Sequence, residues 1–252
     1  MTNILLCGCS GRMGEAITKL VRESNDAKII AGVDVNPAAQ VSDFPIFPTI
    51  SEFSGKADVI VDFSHHTTLP SLAEYAVATS TPLVVCTTGH TEEELAAMRE
   101  AAKVAPIFFS RNMSLGINLL ISLCRRAAAT LGEDFDIEII EKHHNQKLDA
   151  PSGTALMIAD AICEEGGEHP YVYDRHAERR KRARGEIGLH AVRGGNIVGE
   201  HEVMFCGQNE ILTLSHSAAS REVFATGALR AARFMQGKGA GLYNMDDVVN
   251  AL

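Results

Sequence analysis

The segment ILLCGCSGRMGEAITKLV, residues 4–21, joins a short apolar run to a helical pattern through a loop with three glycines. The apolar run predicts a buried strand, and the apolar residues after the loop recur at helical spacing. In a dinucleotide-binding fold, such glycines permit a tight turn and bring the backbone and the helix N-terminus close to a pyrophosphate. The spacing of the loop Gly8–Gly14 is GxxGxxG rather than GxGxxG, so the loop alone also fits an ordinary structural turn.

The rest of the N-terminal half repeats this alternation of strand and helix. Further strand-like runs are KIIAGVD (28–34), DVIVDF (58–63), PLVVCTT (82–88) and APIFFS (105–110). Helical stretches separate the last three, and one of them begins at Thr91 with Glu94 in a capping-box pattern. Apolar strands separated by helices predict a parallel sheet buried on both faces, in a Rossmann-like α/β domain.

The pattern changes after about Asn112. LGINLLISLCRRAAATLG predicts one long helix, and FDIEIIE alternates apolar and acidic residues, as a strand with one wet face does. Three later strand-like runs, EIGLHAVRGG, IVGEHEVMFC and EILTLSHSA, predict an open antiparallel or mixed sheet in a second, α+β domain. The pattern REVFATGALRAARFMQGKG predicts a last helix that could return to either domain.

The composition restricts the partners. The 252-residue chain has a formal net charge of -9, which disfavours nonspecific binding to nucleic acid or anionic membrane. No apolar run approaches the roughly 20 residues that span a bilayer. The six cysteines are scattered, which favours a reducing cytoplasm, and no metal site is expected. The one basic run, around Arg179–Arg184, is expected to be a solvated loop.

An acidic residue supports the dinucleotide interpretation of the glycine loop. Asp34 ends the second predicted strand, about 20 residues beyond the loop, where an acid accepts hydrogen bonds from ribose hydroxyls. Asp34 would repel a 2′-phosphate and Val35 offers no cation, so the pattern favours NADH, with NADPH kept open by Arg12. The segments DFSHH (62–66) and CTTGH (86–90) should line the same groove, their histidines lining it or facing solvent rather than acting in catalysis.

The second half contains a polar loop, EKHHNQKLDAPSGTAL (141–156), between a predicted strand and a predicted helix. Ser152, Gly153 and Thr154 should present unpaired backbone N–H groups at the helix start, which is a carboxylate site. His143 and Lys147 are close enough in sequence to face one point, and both can handle protons there. The alternative is a self-capped helix that binds nothing, beside solvent-exposed histidines.

Several motifs together carry a family resemblance: GRMG, DFS at 62–64, TTG at 87–89, NMS at 112–114, EKHHNQKLDAPSGTA and RGGNIVGEHEVMF. With these motifs the chain, from end to end, resembles the dihydrodipicolinate reductase family. That resemblance implies reduction by NADH or NADPH of the cyclic product of dihydrodipicolinate synthase to tetrahydrodipicolinate, on the diaminopimelate route to lysine.

The resemblance also implies roles for individual residues. His143 corresponds to a proton donor or acceptor and Lys147 to a proton donor, while His144, Gly153 and Thr154 correspond to contacts with the substrate's carboxylates. With their neighbours, the expected cofactor contacts are Gly8, Cys9, Ser10, Gly11, Arg12, Met13, Gly14, Asp34, Phe63, Cys86, Thr87, Thr88, Ser110, Arg111, Asn112 and Met113.

Three departures from the family pattern matter. Cys86 stands where a glycine often precedes TTG, and His65 and Val35 stand where some members have arginine. Both arginine losses weaken the binding of a 2′-phosphate, which agrees with the preference for NADH. The family fold implies that residues 1–114 and 222–252 form the dinucleotide domain. Residues 115–221 would then form the substrate domain, whose open sheet builds a homotetramer.

Two rival functions stay open at this point. Another NAD(P)-dependent reductase of a small carboxylate, such as an amino-acid or semialdehyde dehydrogenase, could share the two-domain plan. An acylating semialdehyde enzyme would need a nucleophilic cysteine, and neither Cys163 nor Cys206 has an adjacent basic residue. A non-catalytic nucleotide sensor would keep the glycine loop, but it would have no need of His143 and Lys147.

Overall fold

The structure, a computed structural model, describes residues 1–36, 43–167, 169–177 and 179–251. Its internal contacts divide the chain into two compact units. The first unit consists of Met1–Leu115 and Glu222–Leu252, and the second consists of Gly116–Arg221.

The described strands of the first unit form one parallel sheet, as the alternation of strands and helices predicts. Its strands are β1 (Thr2–Cys7), β2 (Ala27–Val33), β3 (Ile46–Phe47), β4 (Val59–Asp62), β5 (Leu83–Val85), β6 (Pro106–Phe109) and β12 (Gly241–Tyr243). The strand order is β12-β6-β5-β4-β1-β2-β3. The order reverses between β1 and β4, and ligands of open α/β sheets bind at the carboxyl ends of the strands at such a point.

Helices cover both faces of this sheet. They are α1 (Arg12–Arg22), α2 (Leu69–Thr79), α3 (Glu92–Ala102), α6 (Glu222–Phe234) and α7 (Met245–Asn250). Residues of the central strands enter two separate apolar cores, one with α1, α6 and α7 and one with α2 and α3. The predicted capping box is confirmed, since the Thr91 side chain accepts from Glu94 N–H and the Glu94 side chain from Thr91 N–H.

The second unit is a mixed sheet packed against two helices. Its strands are β7 (Asp136–His143), β8 (Tyr171–Val172), β9 (Ile187–Arg193), β10 (Glu200–Cys206) and β11 (Ile211–Ser217), and its helices are α4 (Leu115–Leu131) and α5 (Gly153–Gly166). The order is β11-β10-β7-β9-β8, with β7 parallel to β9 and antiparallel to β10. Alternate residues of β7 are buried, as predicted for a strand with one wet face. The predicted Rossmann-like α/β fold with a second α+β domain is therefore confirmed.

The basic run around Arg179–Arg184 is a largely exposed loop, as its composition predicts. Some of its arginines are nevertheless paired: Arg180 pairs with the buried carboxylate of Glu186, as Arg175 does, and Arg182 pairs with Glu138 on β7. Arg182 therefore holds the loop against the sheet of the second unit. In the parts of the chain that the structure describes, no helix has the length and apolar character needed to cross a membrane.

Candidate active site

The glycine loop of the first unit is fixed by close backbone contacts. Gly8 has a φ of +74°, and a Cβ there would lie 2.4 Å from the carbonyl oxygen of Phe63. A Cβ on Gly14 would lie 2.4 Å from the carbonyl oxygen of Cys9. Only glycine fits at these two positions, because the atoms that a side chain would meet belong to the backbone. The loop therefore brings the end of β1, the end of β4 and the start of α1 close together.

The start of α1 suits a phosphate group. The helix is preceded by Gly11, which has no side chain to cap the first N–H groups as Ser or Asp would. These N–H groups and the helix dipole favour an anion. Of the loop residues expected to contact the cofactor, Cys9 is buried beneath the loop, while Arg12 is exposed at the helix start. The pyrophosphate of a dinucleotide therefore fits this loop.

Asp34, which directly follows β2, holds the same loop through a hydrogen bond. One oxygen of its carboxylate accepts a hydrogen bond from Ser10 N–H at 3.0 Å, and the other accepts from Asn36 N–H at 3.1 Å. Each carboxylate oxygen can accept more than one hydrogen bond, so Asp34 retains capacity for ribose hydroxyls. The carboxylate thus links the glycine loop to the place where a ribose would bind.

A cavity of about 790 Å³ opens beside Asp34. Its walls include Val35, Phe63, His65 and Tyr75, and it reaches back to the glycine loop at Gly8 and Gly11. The size is within the range of small-molecule and cofactor sites. An adenosine group fits this cavity, and its position at the reversal of strand order agrees with the general rule for such folds.

Asp62, at the end of β4, belongs to the DFSHH segment that is expected to line the groove, although the sequence assigned it no role of its own. It is fully buried and accepts hydrogen bonds from the hydroxyls of Ser64 and Thr87. Burial raises the pKa of Asp62, an effect that its hydrogen bonds from Ser64 and Thr87 oppose. The carboxyl group ties the loop after β4 to the loop after β5, which carries Cys86 and Thr88. The sequence did contain one indication of this role, because Asp62 lies at the end of a predicted strand, directly before the expected cofactor contact Phe63.

The remaining expected cofactor residues follow β6. The hydroxyl of Ser110 donates to the carbonyl oxygen of Asn112 at 2.8 Å, and the Asn112 side chain accepts from Ser114 N–H at 2.9 Å. Met113 is buried in the core shared with α1 and α6, whereas Arg111 is exposed. These hydrogen bonds hold residues 110–114 in a compact turn at the carboxyl edge of the sheet.

The polar loop of the second unit is built on a buried carboxylate at the end of β7. Glu141 is fully buried and pairs with both Nη atoms of Arg193, at 2.7 and 2.8 Å. The same carboxylate accepts from His143 Nδ1 at 2.6 Å and from Ser152 N–H at 2.9 Å. Burial raises the pKa of Glu141, but hydrogen bonds from Arg193, His143 and Ser152 outweigh it and lower the pKa below its ordinary value. Glu141 is therefore an ionised anchor for the loop.

A second histidine lies against His143. The ring of His201 meets the ring of His143 edge-on, with centroids 5.3 Å apart, and its Nε2 lies 3.1 Å from Ser152 Oγ. Burial, with a smaller contribution from His143, lowers the pKa of His201 to about 4. His201 is therefore neutral near pH 7 and adds no positive charge beside His143.

The start of α5 differs from its prediction in one respect. Ser152 N–H is not free, because it donates to Glu141, while the amide of Gly153 helps Lys147 to lower the pKa of the Asp149 carboxyl. The same carboxylate pairs with Lys147 Nζ at 2.8 Å. The expectation of an unpaired N–H group was wrong for Ser152, since the loop folds Glu141 onto the helix start. The start of α5 therefore lies against two carboxylates of the chain itself, those of Glu141 and Asp149.

The structure thus brings His143, Lys147 and Gly153 into one loop cluster with four residues that sequence reasoning missed: Glu141, Asp149, Arg193 and His201. His144 is half-buried beside this cluster. Glu141 had a signal in the sequence, because an acid occupies an inward position of an alternating strand. Arg193 and His201 lie too far along the chain for spacing to connect them with the loop.

Two family models match the chain. The model described as the N-terminus of dihydrodipicolinate reductase matches residues 2–113, and the model of its C-terminus matches residues 116–249. Together they account for nearly the whole chain. The second model spans the second unit and also most of the C-terminal segment that belongs to the first unit.

Individual relatives give the same result. The chain is 53% identical to the 4-hydroxy-tetrahydrodipicolinate reductase of Caldanaerobacter subterraneus subsp. tengcongensis over 99% of this chain and 98% of the relative. It is 50% identical to the Clostridium tetani enzyme of the same name over 100% and 98%. Among solved structures it resembles a dipicolinate-bound dihydrodipicolinate reductase from Paenisporosarcina sp. TG-14, with a TM-score of 0.82, 25% identity and 97% of each chain covered.

Proposed function

The chain belongs to the dihydrodipicolinate reductase family, and we propose that it reduces the cyclic product of dihydrodipicolinate synthase, 4-hydroxy-tetrahydrodipicolinate, to tetrahydrodipicolinate. This reaction belongs to the diaminopimelate route to lysine. The electron donor is a nicotinamide cofactor bound at the carboxyl edge of the parallel sheet.

One observation supports this function most strongly. Lys147 pairs with the carboxylate of Asp149 at 2.8 Å, and the amide of Gly153 at the start of α5 also lowers the pKa of that carboxyl. A cyclic dicarboxylate would present the same group to the same donors. Dipicolinate, which is bound to the structural relative, is such a molecule. We therefore assign Lys147, Gly153 and Thr154 to one substrate carboxylate, with His144 as a further contact.

The cofactor supplies hydride when it is bound. The glycine loop would hold its pyrophosphate through backbone N–H groups, Asp34 would hold a ribose, and residues after β4, β5 and β6 would line the rest of the groove. In the substrate, reduction of a conjugated ring leaves negative charge that a nearby acid must neutralise. The chain offers two proton donors at the substrate site, His143 and Lys147, beside the positively polarised helix start.

The preference between cofactors follows from the charge near Asp34. The carboxylate would repel a 2′-phosphate, and the neighbouring Val35 is 88% exposed and offers no cation. No lysine or arginine occurs in the sequence between Asp34 and Asp43. We therefore propose that the enzyme binds NADH more tightly than NADPH.

The second unit is proposed to form a homotetramer through its sheet. Exposed apolar side chains on the strands include Val192 on β9 and Ile211 and Leu212 on β11. Burying such residues against other copies would stabilise an assembly. Size-exclusion chromatography with light scattering checks the prediction, and a monomer at micromolar concentration would contradict it.

One assay tests the function. NADH oxidation is followed with freshly made synthase product and with aspartate semialdehyde, and the formation of NADH from NAD⁺ is followed with aspartate. We expect turnover only with the synthase product. Turnover with one of the other two would favour the rival dehydrogenase, and no oxidation of NADH or NADPH with the synthase product would rule out the proposal.

A further inference from the structure

We propose that Glu141 and Arg193 are positioning residues that fix the tautomer of His143, so that its Nε2 is the atom that gains and loses a proton. The inference rests on the proposed function only in giving that proton a part in turnover. The arrangement itself is a property of the second unit and does not depend on a bound substrate.

The hydrogen bond between His143 and Glu141 determines which nitrogen carries a fixed hydrogen. An ionised carboxylate can only accept hydrogen bonds, so at 2.6 Å the Nδ1 of His143 must be the donor. In the neutral ring Nε2 then has the free lone pair, and in the charged ring it carries the mobile proton. The Nε2 faces Gly199, where a Cβ would approach it to 3.1 Å.

Arg193 prevents Glu141 from acting as an uncompensated charge. A lone buried carboxylate is costly, and beside a histidine it would hold the ring permanently charged. The bidentate pair with Arg193 neutralises the carboxylate and fixes its plane. Arg193 Nη2 also donates to the carbonyl oxygen of Asp149 at 2.6 Å, so the same side chain ties down the loop that carries Lys147.

The other charged or titratable groups around His143 come from several elements. His201 on β10 is neutral near pH 7, and His216 on β11 lies beyond it, with a pKa lowered by burial. From the loop, Lys147 and Asp149 form an ion pair. Since these groups are neutral or paired, Glu141 and Arg193 supply the dominant field on the ring.

The first test reads the tautomer directly. Nitrogen-15 NMR of histidine-labelled protein, with His143 assigned from the signal lost in His143→Gln, should show hydrogen on Nδ1 and none on Nε2 at high pH. In Glu141→Gln the population should shift towards the Nε2-protonated form. An Nε2-protonated His143 in the unmutated enzyme would overturn the proposal, even if Glu141→Gln does not fold.

The second test is kinetic. Glu141→Gln should lower kcat on the order of 10²-fold, at the lower end of what general acid–base catalysis contributes. The limb of the pH profile that is lost in His143→Gln should move about one unit to lower pH, because the charged ring loses its carboxylate. A lower rate with an unmoved profile would indicate a merely structural role and overturn the proposal.

Glu138→Gln is a matched control. Glu138 lies on the opposite face of the same strand and pairs with Arg175, Arg182 and His190, a similar Arg–Glu–His cluster outside the site. We expect this variant to keep the His143 tautomer and the pH profile, and changes equal to those of Glu141→Gln would overturn the specific role of Glu141. Failure of the unmutated enzyme to oxidise NADH would remove the proposed function but leave the NMR result standing.

Discussion

The chain has two helix starts that attract anions, and they are built in opposite ways. The start of α1 depends on the absence of side chains, because Gly8 and Gly14 touch backbone atoms and Gly11 leaves the helix uncapped. The start of α5 depends on side chains. Ser152 caps it, its N–H donates to the buried Glu141, and no atom lies within 4 Å of where a Cβ on Gly153 would be, among the residues that the structure describes.

The difference shows which sites a sequence reveals. A site that requires the absence of side chains is marked in the sequence by glycines at fixed spacing within a few residues. A site made by buried charges requires partners from distant strands, such as Arg193 for Glu141. The first kind suits a pyrophosphate that every dinucleotide shares, and the second suits a particular acid whose proton chemistry must be controlled.

The largest expected effect on activity comes from removing Lys147, the cation at the start of α5. Lys147→Met should lower kcat/KM about 10²-fold or more, because it removes both a carboxylate contact and a proton donor. Lys142→Met is the matched control, since Lys142 lies on β7, the strand that precedes the loop, and pairs with Glu200 at 3.1 Å. Steady-state assays with the synthase product check both variants, and equal losses would contradict the assignment of Lys147.

A paired glycine experiment separates the two helix starts. Gly14→Ala should destabilise the enzyme by about 1–3 kcal/mol, because the methyl group meets backbone at 2.4 Å. Gly153→Ala should leave thermal stability unchanged and weaken dipicolinate binding by about 1 kcal/mol, or about fivefold. Thermal unfolding and calorimetric titration measure these outcomes. A stability loss at Gly153, or none at Gly14, would reverse the comparison.

Cofactor choice should respond to one added charge at the first site. Val35→Arg should tighten NADPH binding about tenfold and leave NADH binding unchanged, since one charge-assisted hydrogen bond contributes about 1.5 kcal/mol. Val104→Arg adds the same charge at another exposed position, 63% exposed, and should change neither affinity. Fluorescence titration with both cofactors checks the prediction, which an unchanged NADPH affinity in Val35→Arg would contradict.

The smallest effect concerns acid stability of the second unit. Hydrogen bonds from Arg175 and Arg180 lower the pKa of Glu186 from 4.5 to about 2. A carboxylate with a lowered folded-state pKa stabilises the fold above pH 4.5, and that contribution is lost as the pH falls towards 2. Glu186→Gln should therefore lower Tm at pH 7 and reduce the further loss of Tm between pH 5 and pH 3.

Calorimetry at pH 7, 5 and 3 measures these Tm values, and Asp134→Asn is the control variant. Asp134 forms a pair with Arg184 in which both side chains are more than 70% exposed, so its removal should change Tm little. The stability contribution of Asp62 in the first unit should depend on pH in the opposite direction. Burial raises its pKa, so acid favours the neutral form of this buried carboxyl group. Equal acid sensitivity of Glu186→Gln and the unmutated enzyme would contradict the role of this carboxylate.

Much of the fold was predictable because its signals are local. The strand alternation, the glycine loop and the capping box at Thr91 each lie within a short window. The short strand β12 and helix α7 were missed, although Asn244 and Asp247 form a capping box that marks the start of α7. Three-residue strands such as β12 carry too little pattern to distinguish them from a loop.

The candidate site was predictable only in part. The loop around His143 and Lys147 was identified from residue types close in sequence. The residues that hold this loop in place were not identified, because the pairing of Glu141 with Arg193 depends on β7 and β9 lying side by side in register. The N–H group of Ser152 was expected to be unpaired, because spacing alone cannot show that Glu141 accepts a hydrogen bond from it.

The two helix starts should bind two different anions of one reaction. A crystal structure of the enzyme with NADH and dipicolinate tests this most directly. We predict the pyrophosphate at the N-terminus of α1 and one dipicolinate carboxylate within hydrogen-bond distance of Gly153 N–H and Lys147 Nζ. A dicarboxylate bound elsewhere, with Lys147 still paired to Asp149, would contradict it.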